Sequence, residues 1–296
     1  MATRMTSPLA GIGWLRNAIN VGCRSPRTLF LAAFLLLVTA FVPSLITTPF
    51  QYAFPGDMTV FVGTMVFSML VGLLLSPVFA GFLQVIDAIE RGREVRARDI
   101  FAPYRNGVAK PSILFSLLMI PVYVVAVTLV VLSAGPGLWG AFSESWGTAG
   151  MQPAMHMPEI PWHVWLVVWL VGLVLSGLWA IGYGQIAIAR RSVTEAFIDG
   201  VSGALKNLLP FFVLGLLMVV CLLATGVAMV LVVALLSLIG KVVGTWLMIV
   251  LVVPVYIAFV LAMYIVMFAL AYFLWRDVCA GDADSAADPQ VAVAEV

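Results

Sequence analysis

Six stretches without one charged residue, at 29–46, 60–86, 113–132, 164–189, 208–239 and 242–275, decide most of what this chain can fold into. A hydrocarbon core about 30 Å thick needs about 20 apolar residues of helix, and five of the six reach that length. The first is shorter and contains Pro43. The chain also lacks the polar residues to coat a water-facing surface. It is 63% hydrophobic and 10% charged, against roughly 45–50% and 25% in an average soluble domain. The expected fold class is therefore all-α: a polytopic transmembrane helix bundle of six spans. It forms a single integral membrane domain over 1–280. The tail, 281–296, is rich in Ala and Asp without periodicity and is expected to be a disordered cytoplasmic extension.

The region 208–275 admits two spans or three. Three would put Lys241 near the middle of the membrane, at a cost of roughly 2.5–3.5 kcal/mol. Two spans, with Lys241 in a short turn over 240–244, avoid that cost. The distribution of positive charge supports the even count. Arg4, Arg16, Arg24 and Arg27 precede the first span. Arg91, Arg93, Arg96, Arg98, Arg105 and Lys110 follow the second, Arg190, Arg191 and Lys206 follow the fourth, and Arg276 follows the sixth. That places 14 of the 15 Lys and Arg residues on one face. Such a bias marks the cytoplasmic face, so both termini are expected there, in a bacterial inner (cell) membrane. No cleavable signal peptide is expected.

Two short amphipathic segments accompany the spans. In 11–23, Trp14, Leu15, Ala18, Ile19 and Gly22 fall at helical spacing, and in 194–207 Ala196, Phe197, Val201, Ala204 and Leu205 do the same. Both are expected to lie at the cytoplasmic interface. At an offset of 182, Asn17 pairs with Asp199, Ile19 with Val201 and Arg24 with Lys206. Pro77-Val78-Phe79-Ala80-Gly81-Phe82 echoes Pro254-Val255-Tyr256-Ile257-Ala258-Phe259, and Pro26-Arg27-Thr28-Leu29-Phe30 echoes Pro111-Ser112-Ile113-Leu114-Phe115. These echoes suggest three repeated helical hairpins, each introduced by a basic interfacial segment; chance similarity in a low-diversity alphabet is the competing reading.

Spacing by four sets small residues along one face of two spans. Ser68, Gly72, Ser76 and Ala80 do so in the second, and Gly172, Ser176, Ala180 and Gly184 in the fourth. Such faces let helix backbones approach closely, and packing within one bundle is the expected use. No Asp, Glu, Lys, Arg or His lies inside the six apolar cores. Ion-coupled pumps and proton relays need such groups at depth, intramembrane metalloproteases need His and carboxylate ligands, and serine hydrolysis needs a base. No enzymatic activity, catalytic residue or cofactor is expected. Gln84 and Gln185, near the cytoplasmic ends of their spans, are expected to bond across helices, with contact to a lipid headgroup as the competing reading. Asp99 is expected to cap a short helix, and Gly92 to end the second span.

Two segments could meet a ligand. Arg91, Arg93, Arg96 and Arg98 are candidates for contact with lipid headgroups, where each basic residue near an anionic surface contributes about 1 kcal/mol. In the long outer loop, Met151, Met155, His156 and Met157 are suitable in chemistry for copper but match no ligand spacing; apolar loop contact is the competing reading. The expected partners are membrane lipids, with other membrane proteins or a second copy as further candidates. Interleaved charge signs speak against nucleic acid.

Gly13-Trp14-Leu15, Arg24-Ser25-Pro26, Pro77-Val78-Phe79-Ala80-Gly81, Glu90-Arg91-Gly92, Asp99-Ile100-Phe101 and the closing Phe273-Leu274-Trp275-Arg276-Asp277-Val278 together resemble a family of uncharacterised six-span bacterial inner-membrane proteins, a domain of unknown function. The likeness spans most of 11–279. More distantly, it is similar to the membrane domain attached to some glycerophosphodiester phosphodiesterases, but the residues that would form the soluble enzyme are not found here. What the resemblance implies is fold and location. The expected role is a non-catalytic membrane organiser or accessory that interacts with lipid. A permease for an apolar or lipid-like solute is the alternative, and copper handling the second alternative.

Overall fold

The computed structural model describes residues 3–135 and 160–280. Six helices in it are long and apolar enough to cross a membrane, and the fold is the expected all-α polytopic bundle. In chain order the elements are α1 (Ala10–Arg24), α2 (Pro26–Ala53), α3 (Met58–Glu90), a 3-10 helix (Ala97–Tyr104), α4 (Ala109–Ala134), α5 (Trp162–Ala187), α6 (Val193–Lys206), α7 (Leu208–Val243), α8 (Thr245–Trp275) and a π-helical turn (Arg276–Ala280). The six long helices are α2, α3, α4, α5, α7 and α8. The region 208–275 forms two of them, divided at Gly244, where φ is +127°. Lys241 lies in the last turn of α7 rather than in a loop over 240–244, because the helix runs on to Val243 and closes where Gly244 N–H donates to the Gly240 carbonyl at 2.8 Å.

The spans pair as three hairpins: α2 with α3, α4 with α5, and α7 with α8. The return helices α3, α5 and α8 also meet one another, and each touches the leading helix of the next hairpin. The cycle closes, because α8 touches α2. The three short elements follow the same order. The 3-10 helix packs on α3, α6 packs on α5, and α1 packs on α8. Each therefore sits on the return helix of the hairpin before its own. The offset of 182 seen in the sequence relates the breaks themselves. α1 ends at Arg24 and α2 begins at Pro26, while α6 ends at Lys206 and α7 begins at Leu208. The Pro77 and Pro254 segments are not equivalent in the same way. Pro77 is buried at the basic end, whereas Pro254 is exposed and lies far from the end of its helix.

Buried side chains concentrate at the end carrying the arginines. Phe79 of α3 and Phe268 of α8 stack with ring centroids 5.8 Å apart. Trp179 of α5 lies 6.2 Å from Phe79 and 5.6 Å from Phe268, and Tyr183 adds an edge contact to Phe79. Towards the other end the hairpins separate. No residue in 65–75, 165–176, 222–238 or 250–260 is buried. The hairpin arms still touch there, through Gln51 Nε2 donating to Thr64 Oγ1 (3.1 Å) and His163 Nε2 donating to the Ser133 carbonyl (3.0 Å).

The amphipathic helices form with changed partners. α1 buries Gly11, Trp14, Leu15, Ala18 and Val21, while Ile19 is exposed. The apolar face is turned by part of a helical step because it docks on α7 and α8 rather than on lipid alone. α6 buries Ala196, Gly200, Gly203 and Ala204 and leaves Leu205 exposed. Its glycines accept the side chains of Leu178 and Ile181 from α5.

Candidate functional site

Charge and hydrogen bonding gather where the spans end among the arginines. α3 stops in a Schellman turn: Gly92 adopts φ +65°, Gly92 N–H donates to the Ile89 carbonyl, and Arg93 N–H donates to the Ala88 carbonyl. The turn directs Arg91 and Arg93 back onto Asp87, one helical turn earlier. Asp87 is buried, and it also accepts from the Tyr272 hydroxyl of α8 at 3.2 Å. Glu90 does a similar job. Arg24, at the end of α1, reaches its Oε1 at 2.8 Å as an ion pair without hydrogen-bond alignment, and Arg276 reaches Oε2 at 3.5 Å. Two carboxylates on α3 thus bind the ends of α1, α3 and α8 together.

The 3-10 helix lies across α3 at Gly81. A Cβ there would come 1.8 Å from the Ile100 carbonyl oxygen, so only glycine fits. Pro77, lacking N–H, cannot bond the carbonyl of Leu73; Ser76 Oγ donates to that carbonyl at 2.8 Å instead. Tyr104, on the 3-10 helix, donates its hydroxyl to the Leu74 carbonyl at 2.7 Å, and burial raises its pKa. Asp99 does not take the first cap position. It stands three residues in, where Oδ2 accepts from Arg96 N–H at 2.8 Å. The helix begins at Ala97, two residues before Asp99, so the role passes to the third position.

Gln84 Nε2 donates to the Ala187 carbonyl of α5 at 2.7 Å, and Asn106 Nδ2 donates to Gln84 Oε1 at 3.1 Å. Arg190, beyond the end of α5, donates to the Asn106 carbonyl at 2.8 Å. Its φ of +57° lies in the left-handed region. Gln84, Ala187 and Arg190 border a cavity of about 330 Å³ between the ends of α3 and α5. A wider polar groove of about 680 Å³ lies beside it, with Arg24, Arg93, Arg96 and Arg98 among its walls. Gln185 is buried within the bundle and donates to Asp199 Oδ2 at 2.6 Å.

A second cluster ties the amino-terminal segment down. Asn207 is fully buried between α6 and α7. Its Oδ1 accepts from Thr6 N–H and Oγ1 at 2.8 and 2.9 Å, and its Nδ2 donates to the Arg4 carbonyl at 3.0 Å. Arg4 N–H donates to the Val278 carbonyl at 3.0 Å, and Trp14 Nε1 donates to Asp277 Oδ2 at 3.0 Å.

The residues expected from sequence to act are placed unevenly. Arg91 and Arg93 are held by Asp87, while Arg96 and Arg98 stand exposed around the groove. The small-residue faces are used only at the basic end. Ser76, Ala80 and Ala180 are buried, and a Cβ on Gly184 would meet the Trp275 indole at 2.2 Å. Ser68 is half-buried. Gly72 and Gly172 have nothing within 4 Å of a would-be Cβ, and Ser176 is exposed. Met151, Met155, His156 and Met157 lie outside the described residues, as does the tail 281–296. Spacing by four missed two contacts on α5 about as tight as that of Gly184, those of Gly177 with Phe211 and Gly182 with Phe115. It also missed Asp87, Glu90 and Asn207, whose only sequence signal is polarity at the boundary of an apolar run. No family model, curated protein or solved structure matches the chain.

Proposed function

We propose that this integral membrane protein is a non-catalytic organiser or accessory of a bacterial inner membrane that works through lipid at its basic end, with both termini cytoplasmic. The observation that carries the reading is the filled centre of the bundle. Where α3, α5 and α8 meet, Phe79, Trp179, Tyr183 and Phe268 occupy the space a polar pathway would need. The polar surface lies instead at one boundary, with Arg96 and Arg98 exposed where anionic headgroups would attract them. The motif resemblance to six-span inner-membrane proteins supports the same placement. No bond-making role is assigned to any side chain. A permease for an apolar or lipid-like solute is the second reading, favoured by the separation of the hairpins at the opposite end, where 222–238 and 250–260 hold no buried residue.

Gentle extraction followed by mass spectrometry of co-purifying lipid, paired with a flux assay in proteoliposomes, separates the two. The organiser reading expects retained phospholipid and no flux of a fluorescent lipid analogue above empty vesicles. Flux that depends on the protein would establish the permease. Substituting Arg96→Gln and Arg98→Gln together is expected to cut retained anionic lipid severalfold, measured by the same mass spectrometry.

A further inference from the structure

The cavity between the ends of α3 and α5 carries both signs of charge, from opposite walls. Glu94 and Asp99 come from the segment that follows α3, and Arg190 from the turn that follows α5. Asp87 and its partner Arg93 complete the charged lining. The carboxylates outnumber the guanidinium groups, so a bare anion is a poor occupant. A metal ion is no better, since among the described residues no group of three His, Cys, Asp or Glu side chains is placed to hold one. A molecule that carries both charges suits both walls. A guanidinium offers a phosphodiester paired donors. The carboxylates accept from an ammonium, and the C-terminal end of α5, at Ala187 and Ile188, favours positive charge.

The lining also selects among ammonium groups. It contains no aromatic side chain, so a quaternary ammonium would find none of the ring faces that hold it. A primary ammonium needs hydrogen-bond acceptors, and those are present. Arg190 supplies a separate observation. It is the non-glycine residue with positive φ among those described, and its guanidinium is fixed over the cavity by the chain through Asn106 and Gln84 to Ala187. Backbone strain that persists because its surroundings hold it is a mark of ligand sites.

We propose that this cavity binds a phosphoethanolamine-type zwitterion, a primary ammonium joined to a phosphodiester. The phosphodiester meets Arg190, and the ammonium meets Glu94 and Asp99. The cavity, at about 330 Å³, is at the small end of the range for ligand sites, about 300–1,000 Å³. The proposal rests on the lipid-directed reading above and adds the chemistry and the place.

The test is competition for the detergent-solubilised full chain, read by native mass spectrometry. Phosphatidylethanolamine, phosphatidylcholine and phosphatidylglycerol with identical acyl chains compete, and water-soluble glycerophosphoethanolamine is added in a separate arm. At least fivefold preference for phosphatidylethanolamine is expected, falling below twofold in Glu94→Gln and in Arg190→Gly. Glu94 is exposed, and in Arg190→Gly relief of the positive φ offsets the lost hydrogen bond to Asn106, so thermal unfolding midpoints close to wild type are expected in both. Displacement by glycerophosphoethanolamine at similar concentration would mean that the zwitterion alone is the ligand; displacement only by intact phosphatidylethanolamine would mean a lipid, and either supports the proposal. Equal retention of the three lipids would overturn it and leave the lipid-directed reading standing. A preference that survives both substitutions would put the lipid at another site and overturn this one. No retained lipid at all would overturn both.

Discussion

Gly81 and Gly72 stand on the same helix with opposite surroundings. At Gly81 a methyl group would run into the Ile100 carbonyl, and at Gly72 it would meet nothing within 4 Å. Gly81→Ala is therefore expected to cost about 3 kcal/mol, the upper part of the overpacking range, because backbone cannot swing aside as a side chain can. Gly72→Ala is expected to change stability by no more than about 0.5 kcal/mol. Reversible unfolding in mixed micelles measures both. Asp87→Asn should cost about 1–2 kcal/mol in the same assay. It removes the charge that two arginines approach, and their exposure keeps the loss below that of a fully buried pair. The residue scale is where the sequence was least legible. Spacing by four pointed to Gly72 and passed over Gly81, because a close approach depends on which element crosses the helix. That crossing is made by the 3-10 helix, brought back by the turn at Gly92.

At the scale of the element, breaks were easier to read than faces: Gly92 ends α3 as expected, whereas the cap expected of Asp99 shifts to the third position and the box that starts α6 went unread. Ser192 and Glu195 form a capping box at the start of α6, and Ser192 holds the Glu195 carboxylate below its usual pKa through side-chain and backbone hydrogen bonds. A lowered folded-state pKa stabilises the fold above the unfolded value, and the contribution disappears as pH falls through the folded one. Protection of the first turn of α6 from hydrogen exchange, after correction for intrinsic rates, is thus expected to be full at neutral pH and to weaken in acid. Ser192→Ala should flatten that dependence. Asn207, in the break between α6 and α7, holds the amino-terminal segment by three hydrogen bonds. Asn207→Ala is expected to speed protease cleavage within residues 3–9 several-fold before any global unfolding. The two amphipathic helices were recognisable from their periodicity, but Ile19 shows its limit. Periodicity reports that a face is apolar; whether lipid or another helix covers it fixes the rotation.

For the whole molecule, the spans were legible because hydrocarbon tolerates only uncharged helix, and the basic end because arginine is left at a water boundary. Two of the three hairpin pairings followed from short connections, at 54–57 and at Gly244, while α4 and α5 pair across the long segment 135–161. Convergence of Phe79, Trp179 and Phe268 was not legible, since any apolar residue in a span is equally at home against lipid and the sequence carries no mark of an inward face. The repeat was half visible: the breaks at Ser25 and Asn207 obey one offset, whereas the Pro77 and Pro254 likeness joins different depths. In the proposed reading the chain crosses six times, with α1, the 3-10 helix and α6 at one boundary. Its most direct test is labelling of single cysteines in a chain whose Cys23, Cys221 and Cys279 have been replaced. Cysteines at Met5, Arg98 and Ile198, all exposed at the basic end, and at Tyr52 and Trp162, exposed at the other, would be treated with an impermeant maleimide in membrane vesicles of both orientations. Met5, Arg98 and Ile198 should react from one side only, and Tyr52 and Trp162 only from the opposite side. Reaction of any of the first three from the side that labels Tyr52 would contradict it.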